Sequence, residues 1–433
     1  MAAVSVHQFA QCITCHAWSP DHSMIAFCPN NNEVHIYKLL EGKWEKIHVL
    51  QKHDQIVSGI DWSISSNQIV TVSHDRNSYV WSQEASEWVP TLVILRLNRA
   101  ALCVQWSPKE NKFAVGSGAK TVCICYYEQE NNWLFWLPSV AMDFENRSEV
   151  RQDEDEKVGS SNSNPGDFGL GPWGRGDEVM LGKKGNSLTT GFSRRWVSKL
   201  IRKRHDSSVT SVAWHPNNIL LATTSTDGKC RVFSTFIKGV DTKNPAGSSD
   251  SKFGEQIMQL DLSFSWTFGM KWSPTGNTLA YVGHNSMIYF VDDVGPSPSA
   301  QSVSFRDLPL RDVLFVSERM VIGVGFDCNP MVFTADERGL WSFLRFLDER
   351  KPSSGAKYGS QFSETFGKLY GQSKYGSNDI NETSKRHENC ITSIVPLKNE
   401  EDNTTVTSFS TAGLDGKVII WELQKQHDLL EYL

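Results

Sequence analysis

The sequence predicts an all-β fold, a seven-bladed β-propeller built from seven four-stranded sheets arranged in a ring. An apolar run that ends in Trp-Ser/His-Pro, or in a near variant, recurs along the chain, and its first three copies are spaced by 44 residues. A period of roughly 40 to 45 residues is typical of propellers, whose blades must cover each other to bury both faces. The seven runs end at Trp18, Trp62, Trp106, Trp214, Trp272, Phe315 and Val395.

Polar residues recur at matching places and indicate repeats of the WD type. We expect a loop His, a strand Ser, a turn Asp and a strand Trp to hydrogen-bond in series, which would fix the geometry of each blade. A catalytic role for these His–Asp pairs is disfavoured because the same set recurs as a structural device. The sets are His53, Ser73, Asp75 and Trp81; His205, Ser225 and Asp227 with Phe233 in place of Trp; and His387, Asp415 and Trp421.

The ring must also close. WD-type propellers usually pair a strand from one end of the chain with strands from the other end. The segment from about His7 is therefore expected to complete the last blade beside Asp415 to Trp421. The sequence predicts one propeller domain over residues 1–433.

The composition of the chain indicates which partners and which cellular compartment to expect. The formal net charge of −6 is too small to predict nucleic acid as the main partner. No apolar run reaches the roughly 18 to 20 residues of a membrane helix, and no secretion signal is apparent, so we expect no membrane insertion. Nine scattered cysteines fit reduced thiols in the cytoplasm better than a disulfide framework.

One segment breaks the repeat. Trp106 and Trp214 are 108 residues apart, and removing residues 134–195 restores the rhythm. This segment carries an acidic run and a stretch rich in Gly, Ser and Asn, which cannot bury enough apolar surface to offset its ordering entropy. We therefore predict a disordered insertion between blades 3 and 4.

A second long segment, residues 347–386, precedes the last blade. Within it, four apolar side chains are spaced by four, three and one residues and share one helical face. Three readings are open for this short apolar segment on a long tether: a helix that packs on the rim of the propeller, a helix that inserts into a groove on a partner, or plain disorder. The side chains are Phe362, Phe366, Leu369 and Tyr370.

The sequence offers no convincing catalytic, cofactor or metal site. Gly169, Gly171 and Gly174 match a dinucleotide fingerprint, but no strand precedes them and no helix follows. Cys12 and Cys15 lack a second pair to complete a zinc site. The basic cluster Arg202, Lys203 and Arg204 has two readings, a solvated loop or an electrostatic contact with an acidic partner.

Several strings are more specific than a generic WD repeat. They resemble the family of the WD-repeat subunit (subunit 1) of the actin-related protein 2/3 complex, along nearly the whole chain except residues 134–195. The family also has an insertion before its last repeat. The strings are HQFAQCITCHAWSPDHSMIAFCPNNNEVHIY, HDQIVSGIDWS, SHDRNSYVW, CVQWSPKENKFAVGSGAKTVCICYYEQENNW and SVTSVAWHPNNILLATTSTDGKCRVFSTFIK.

The resemblance implies a non-catalytic subunit of a cytoplasmic assembly that nucleates branched actin filaments. It implies contacts with the other subunits of that complex and with the activating tails of nucleation-promoting factors. It also implies that the helix at 362–370 reaches an actin-family surface, which favours the partner-groove reading. The alternative from the adaptor class is a generic WD-repeat receptor, such as the substrate subunit of a ubiquitin ligase, although no ligase-docking segment is apparent.

Overall fold

The strands form seven consecutive four-stranded antiparallel sheets, which confirms the seven-bladed propeller. We analysed a computed structural model. In the part of the chain that it describes there are 28 strands and, after the last strand, one 3-10 helix. No helix there has the length and apolarity needed to cross a membrane. The described residues are 3–129, 194–242, 252–348, 387–397 and 405–433.

Each blade is a meander in which the first strand lies innermost and the fourth outermost. The first four blades have the following strands: blade 1, β2 Cys15–Trp18, β3 Met24–Cys28, β4 Glu33–Leu40 and β5 Lys43–Gln51; blade 2, β6 Val57–Trp62, β7 Ile69–Ser73, β8 Ser78–Glu84 and β9 Glu87–Val93; blade 3, β10 Ala101–Trp106, β11 Lys112–Ser117, β12 Val122–Gln129 and β13 Arg194–Ile201; blade 4, β14 Val209–Trp214, β15 Leu220–Ser225, β16 Cys230–Ser234 and β17 Gln256–Leu260.

The remaining blades complete the ring, and the last one takes its outermost strand from the start of the chain. Their strands are: blade 5, β18 Thr267–Trp272, β19 Thr278–Gly283, β20 Met287–Asp292 and β21 Ser299–Ser304; blade 6, β22 Leu310–Ser317, β23 Met320–Gly325, β24 Met331–Ala335 and β25 Trp341–Phe346; blade 7, β26 Ile391–Leu397, β27 Ser408–Gly413, β28 Lys417–Glu422 and β1 Ala3–Gln8.

Pairing of β1 with β28 closes the ring, as the sequence predicts, but β1 spans Ala3–Gln8 and so lies mostly before His7, where the sequence placed its start. The two strands are antiparallel, with His7 opposite Val418 and Gln8 opposite Lys417. The ladder removes the free edge that β28 would otherwise present, and it joins both ends of the chain in one sheet.

The apolar core is divided into clusters that lie between neighbouring sheets. One cluster joins blades 1 and 2, and equivalent clusters follow around the ring to blades 7 and 1. The aromatic residue at the end of the innermost strand lies in such a cluster in blades 1 to 5, where it is Trp, and Phe315, two residues before the end of β22, lies in one in blade 6. The repeated Trp therefore packs one sheet against the next.

The innermost strands approach each other closely around the axis. A Cβ atom at Gly269 of β18 would lie 2.5 Å from the Cα atom of Asp312 in β22. Glycine is therefore required at this position so that blades 5 and 6 can meet.

The meander also defines two faces. The turn between the second and third strands of a blade, and the connection from one blade to the next, lie on one side, which we call the His–Asp face. The turns between the first and second strands, and between the third and fourth, lie on the opposite face.

The two irregular segments fall at defined places in this plan. Residues 130–193 separate the third and fourth strands of blade 3, which is the boundary between the third and fourth sequence repeats. Arg194 and Arg195, which the repeat spacing assigned to the insertion, belong to β13. Residues 349–386 lie between blades 6 and 7, so the helix expected at 362–370 is outside the described residues.

The end of the chain packs across blades 6 and 7. The 3-10 helix His427–Tyr432 places Leu429 in the cluster between these blades. Arg345 Nε in β25 donates to Asp428 Oδ2 at 2.7 Å. The guanidinium of Arg319 lies 5.7 Å from the centre of the Tyr432 ring. The helix thus holds two sheets together by both apolar and ionic contacts.

We expect Leu429→Ala to lower the free energy of unfolding by about 2 to 4 kcal/mol, because Leu429 is 0 % exposed and its removal leaves a cavity. The matched control is Leu430→Ala in the same helix, which changes a side chain that is 44 % exposed and should cost less than about 0.5 kcal/mol. Urea denaturation followed by circular dichroism measures both. Equal losses would contradict the packing described.

Candidate functional site

A buried hydrogen-bond chain runs through blade 2. His53 Nδ1 lies 2.8 Å from Asp75 Oδ2, and His53 Nε2 lies 2.8 Å from Thr71 Oγ1. Trp81 Nε1 donates to the same Thr71 oxygen at 3.0 Å. Since a carboxylate accepts, His53 Nδ1 carries the proton and Nε2 accepts from the Thr71 hydroxyl. Burial lowers the pKa of His53, although its hydrogen bond to Asp75 opposes the shift.

The strand hydroxyl in this chain differs from the one that the sequence suggested. Thr71, and not Ser73, joins His53 to Trp81. Ser73 instead donates to the Gln55 carbonyl at 2.8 Å and accepts from the Asp75 amide at 3.1 Å. Ser73 thus holds the turn that carries the carboxylate.

Blade 7 has the same arrangement. His387 Nδ1 lies 3.0 Å from Asp415 Oδ1, and His387 Nε2 lies 2.9 Å from Thr411 Oγ1. Trp421 Nε1 donates to Thr411 at 2.9 Å. Thr411 completes the set of three residues that the sequence had indicated.

In blade 4 the hydrogen bonds of this network run in the opposite direction. Arg231 Nη1 lies 2.7 Å from His205 Nδ1 and 2.8 Å from Asp227 Oδ2. His205 Nδ1 also lies 3.2 Å from Asp227 Oδ2, but the Arg231 contact is shorter. A guanidinium can only donate, so His205 Nδ1 accepts and Nε2 donates to Thr223 Oγ1 at 2.8 Å. Thr223 then donates to the Arg231 carbonyl at 3.3 Å. Phe233, which stands where the other blades have Trp, offers no N–H, and this allows the reversal.

The charge balance in blade 4 follows from these contacts. Burial by itself raises the pKa of Asp227, but hydrogen bonds from the Asp206 amide, the Arg231 guanidinium and the Lys229 amide outweigh it and lower the pKa. Burial lowers the pKa of His205. An ionised carboxylate therefore meets a permanent guanidinium beside a neutral imidazole. Ser225, the expected strand member, accepts only from the Asp227 amide at 3.1 Å.

A fourth network, not anticipated from the sequence, joins blades 1 and 7. Trp18 Nε1 donates to Ser410 Oγ at 2.8 Å, and His16 lies between Ser410 and Ser393 at 2.8 and 2.7 Å. Burial lowers the pKa of His16 to about 3. The neutral imidazole reinforces the junction at which the ring closes. The string HAWS in the first repeat could have indicated it.

The networks of blades 2, 4 and 7 hold loops of the His–Asp face, and two pockets open on that face. One pocket, of about 360 Å³, lies where the connections entering blades 3 and 4 meet the β11–β12 turn. Four exposed cations line it, and none of the described residues that line it is acidic. We call it the basic pocket, and its cations are Arg96, Lys120, Arg202 and Lys203.

The basic pocket groups residues that are distant in the sequence. Arg202 and Lys203 were singled out from the sequence, whereas Arg96 and Lys120 were not. Arg204 is exposed but is not among the lining residues. Three of the four cations, Arg96, Lys120 and Lys203, have φ between 56° and 59°, so each projects from a tight left-handed turn. The structure thereby presents four positive charges on short, well-anchored loops.

The ring of four-stranded sheets with buried His–Asp–Thr networks defines a WD-repeat propeller. Consistent with this class, the family model described as WD domain, G-beta repeat matches residues 44–82 and 197–234.

Full-length relatives narrow the class to one family. Actin-related protein 2/3 complex subunit 1B of Arabidopsis thaliana is 63 % identical over 99 % of both chains, and subunit 1A of the same plant is 64 % identical over the same shares. Subunit 1A-B of Xenopus laevis is 38 % identical over 99 % of both chains. This chain belongs to the family of actin-related protein 2/3 complex subunit 1.

We expect Thr71→Val to destabilise the protein by about 1 to 3 kcal/mol for each partner left unsatisfied, because the isosteric methyl cannot serve His53 or Trp81. Thr71→Ser keeps the hydroxyl and should cost clearly less. Thermal and urea unfolding of both variants measure the effect. If Val and Ser cost the same, the hydroxyl is not the link between the two side chains.

Proposed function

We propose that this chain is a non-catalytic scaffold subunit of an actin-related protein 2/3 complex and supports nucleation of branched actin filaments at the cytoplasmic actin cytoskeleton. The observation that carries the proposal is the match of the whole chain to relatives whose names place them in that complex. The propeller supports it, since a ring of rigid blades offers two faces and an outer rim for several partners at once.

A scaffold role also fits the chemistry of the histidines. His53, His205 and His387 are all buried, and each is bound on both ring nitrogens. A general base must reach the proton that it abstracts, and these imidazoles do not face solvent. Their hydrogen bonds stabilise the blades instead.

The basic pocket is our candidate site for the acidic, activating tails of nucleation-promoting factors. Four cations on neighbouring loops raise the local concentration of an acidic segment and speed its encounter with the surface. Charge of one sign within a small concave site also favours acidic partners over basic ones. The same reasoning makes Arg204, at the rim of the cluster, a secondary contact.

The long segment before blade 7 is our candidate for contact with the actin filament. The helical face formed by Phe362, Phe366, Leu369 and Tyr370 remains a prediction from the sequence. The described ends of this segment, Asp348 and His387, lie on the His–Asp face, so its tether starts on the same side as the basic pocket.

Affinity purification tests the scaffold role. We expect the tagged chain to recover actin-related proteins and the other complex subunits from lysate in fixed ratio, read by quantitative mass spectrometry. A variant lacking residues 134–193, which leaves β13 intact, shows whether assembly requires that segment. Recovery of ubiquitin-ligase components without actin-related proteins would favour the adaptor alternative and refute the proposal.

Charge reversal tests the basic pocket. In the assembled complex, we expect Arg202→Glu with Lys203→Glu to weaken binding of an acidic peptide from a nucleation-promoting factor at least about tenfold at low salt. The difference should shrink at about 1 M salt, where the screening length is about 3 Å. Fluorescence anisotropy of the labelled peptide gives Kd.

The matched control reverses two exposed lysines on the outermost strand of blade 1, Lys43→Glu with Lys46→Glu. It changes the net charge by the same amount and should leave the affinity within about twofold. An equal loss in both double variants would mean that overall charge, and not the basic pocket, attracts the peptide.

A further inference from the structure

The connection between blades 4 and 5 exposes two large aromatic side chains. In residues 261–266, which join β17 to β18, Phe264 is 100 % exposed and Trp266 is 56 % exposed. No ring contact of Phe264 occurs within the described part of the chain. Aromatic side chains held in water on a rigid loop are typical of sites that a partner covers.

These aromatics border the second pocket of the His–Asp face, of about 630 Å³, which we call the aromatic pocket. One wall is Trp266, whose ring lies nearly parallel to His284, with centroids 6.0 Å apart and planes 13° apart. The Trp266 carbonyl also accepts from the His284 amide at 2.8 Å. The indole is thus held from one side, and more than half of its side chain remains in water.

The charges at the rim favour a cation. Asp261 has 58 % of its side-chain area exposed and Asp206 has 75 %. Lys229 Nζ lies 3.4 Å from Asp206 and 3.9 Å from Asp261, and Arg231 Nη2 lies 3.8 Å from Asp206. With Asp227, three carboxylates therefore face two cations, which leaves one negative charge in excess. Asp227, also in the lining, is already neutralised by Arg231 at 2.8 Å.

Exposed indole faces and carboxylates attract the same kind of group. The face of an aromatic ring is negative, and a guanidinium or ammonium placed over it gains further when a carboxylate is near. The protein already makes this contact internally, since the Arg311 guanidinium lies 4.6 Å from the centre of the Phe268 ring. An acidic segment would meet repulsion from Asp206 and Asp261.

We propose that the aromatic pocket binds an Arg or Lys side chain, next to an apolar residue, in a segment of a partner protein. The cation lies over Trp266 and pairs with Asp261, while the apolar neighbour covers Phe264. This site has the opposite charge preference to the basic pocket, and it does not depend on that pocket binding acidic tails.

Photo-crosslinking in the assembled complex tests the proposal. The full chain with Phe264→p-benzoylphenylalanine keeps an aromatic side chain at the tip of the loop and reacts only with what touches it. We expect one partner segment that contains Arg or Lys, mapped by mass spectrometry. Replacing that basic residue by Gln in the partner should lower the crosslink yield at least about fivefold.

Rim variants in the same background test the role of charge. Asp261→Asn should lower the yield to a similar degree, whereas Asp261→Glu should preserve most of it, and Lys229→Gln should not lower it. Ile64→p-benzoylphenylalanine, at a residue that is 63 % exposed on the opposite face, measures unspecific crosslinking.

Four results would overturn the proposal: a yield no greater than at position 64, a crosslink to an acidic segment, a crosslink to residues 349–386 or to a second copy of this chain, and a yield that does not respond to Asp261→Asn. Recovery of the intact complex in each sample keeps these results separate from a failure of the scaffold role.

Discussion

Each sheet of this protein is buried on both faces only because the sheets on either side of it are in place. The core consists of clusters between blades, so the apolar surface of one blade is covered mainly by its neighbours. Only a closed ring gives every sheet a neighbour on both sides, and the pairing of β1 with β28 closes the ring. The Trp that ends the innermost strand, the close approach at Gly269 and the C-terminal 3-10 helix all serve the same packing.

Hydrogen bonds then fix the positions of loops that the packing between sheets does not determine. In blades 2 and 7, a chain from Asp through His and Thr to Trp ties the loop of the His–Asp face to the body of the blade. In blade 4, Arg231 takes part in tying the loop to the blade, and the proton of His205 lies on Nε2 and not on Nδ1. The blade 4 network lies beside both pockets of this face, since His205 closely follows Lys203 of the basic pocket and Asp227 lines the aromatic pocket. The two pockets have opposite charge preferences.

Much of the fold could be predicted from local pattern. The repeat has a regular period, and the Trp that recurs with it is the residue that packs one blade against the next. The sequence could not show whether Thr71 or Ser73 bonds to His53, since side chains two residues apart in a strand point to the same side. Arg96 and Lys120 come close to Arg202 through the pairing of the strands of blade 3, whose last two strands are separated by 64 residues in sequence, and no local pattern spans that separation. The boundary at Arg194 was missed because a strand begins before its first apolar residue, Trp196.

The pairing of β1 with β28 also determines when the ring can close during synthesis. His7 pairs with Val418, 411 residues later, so β1 is synthesised long before its partner strand. At typical synthesis rates of about 5 to 20 residues per second, β1 waits roughly 20 to 80 s for β28. During that interval the nascent blades present an open end and an unpaired edge strand, which invites association with other chains. The growing ring is therefore open to such association until β28 has been synthesised.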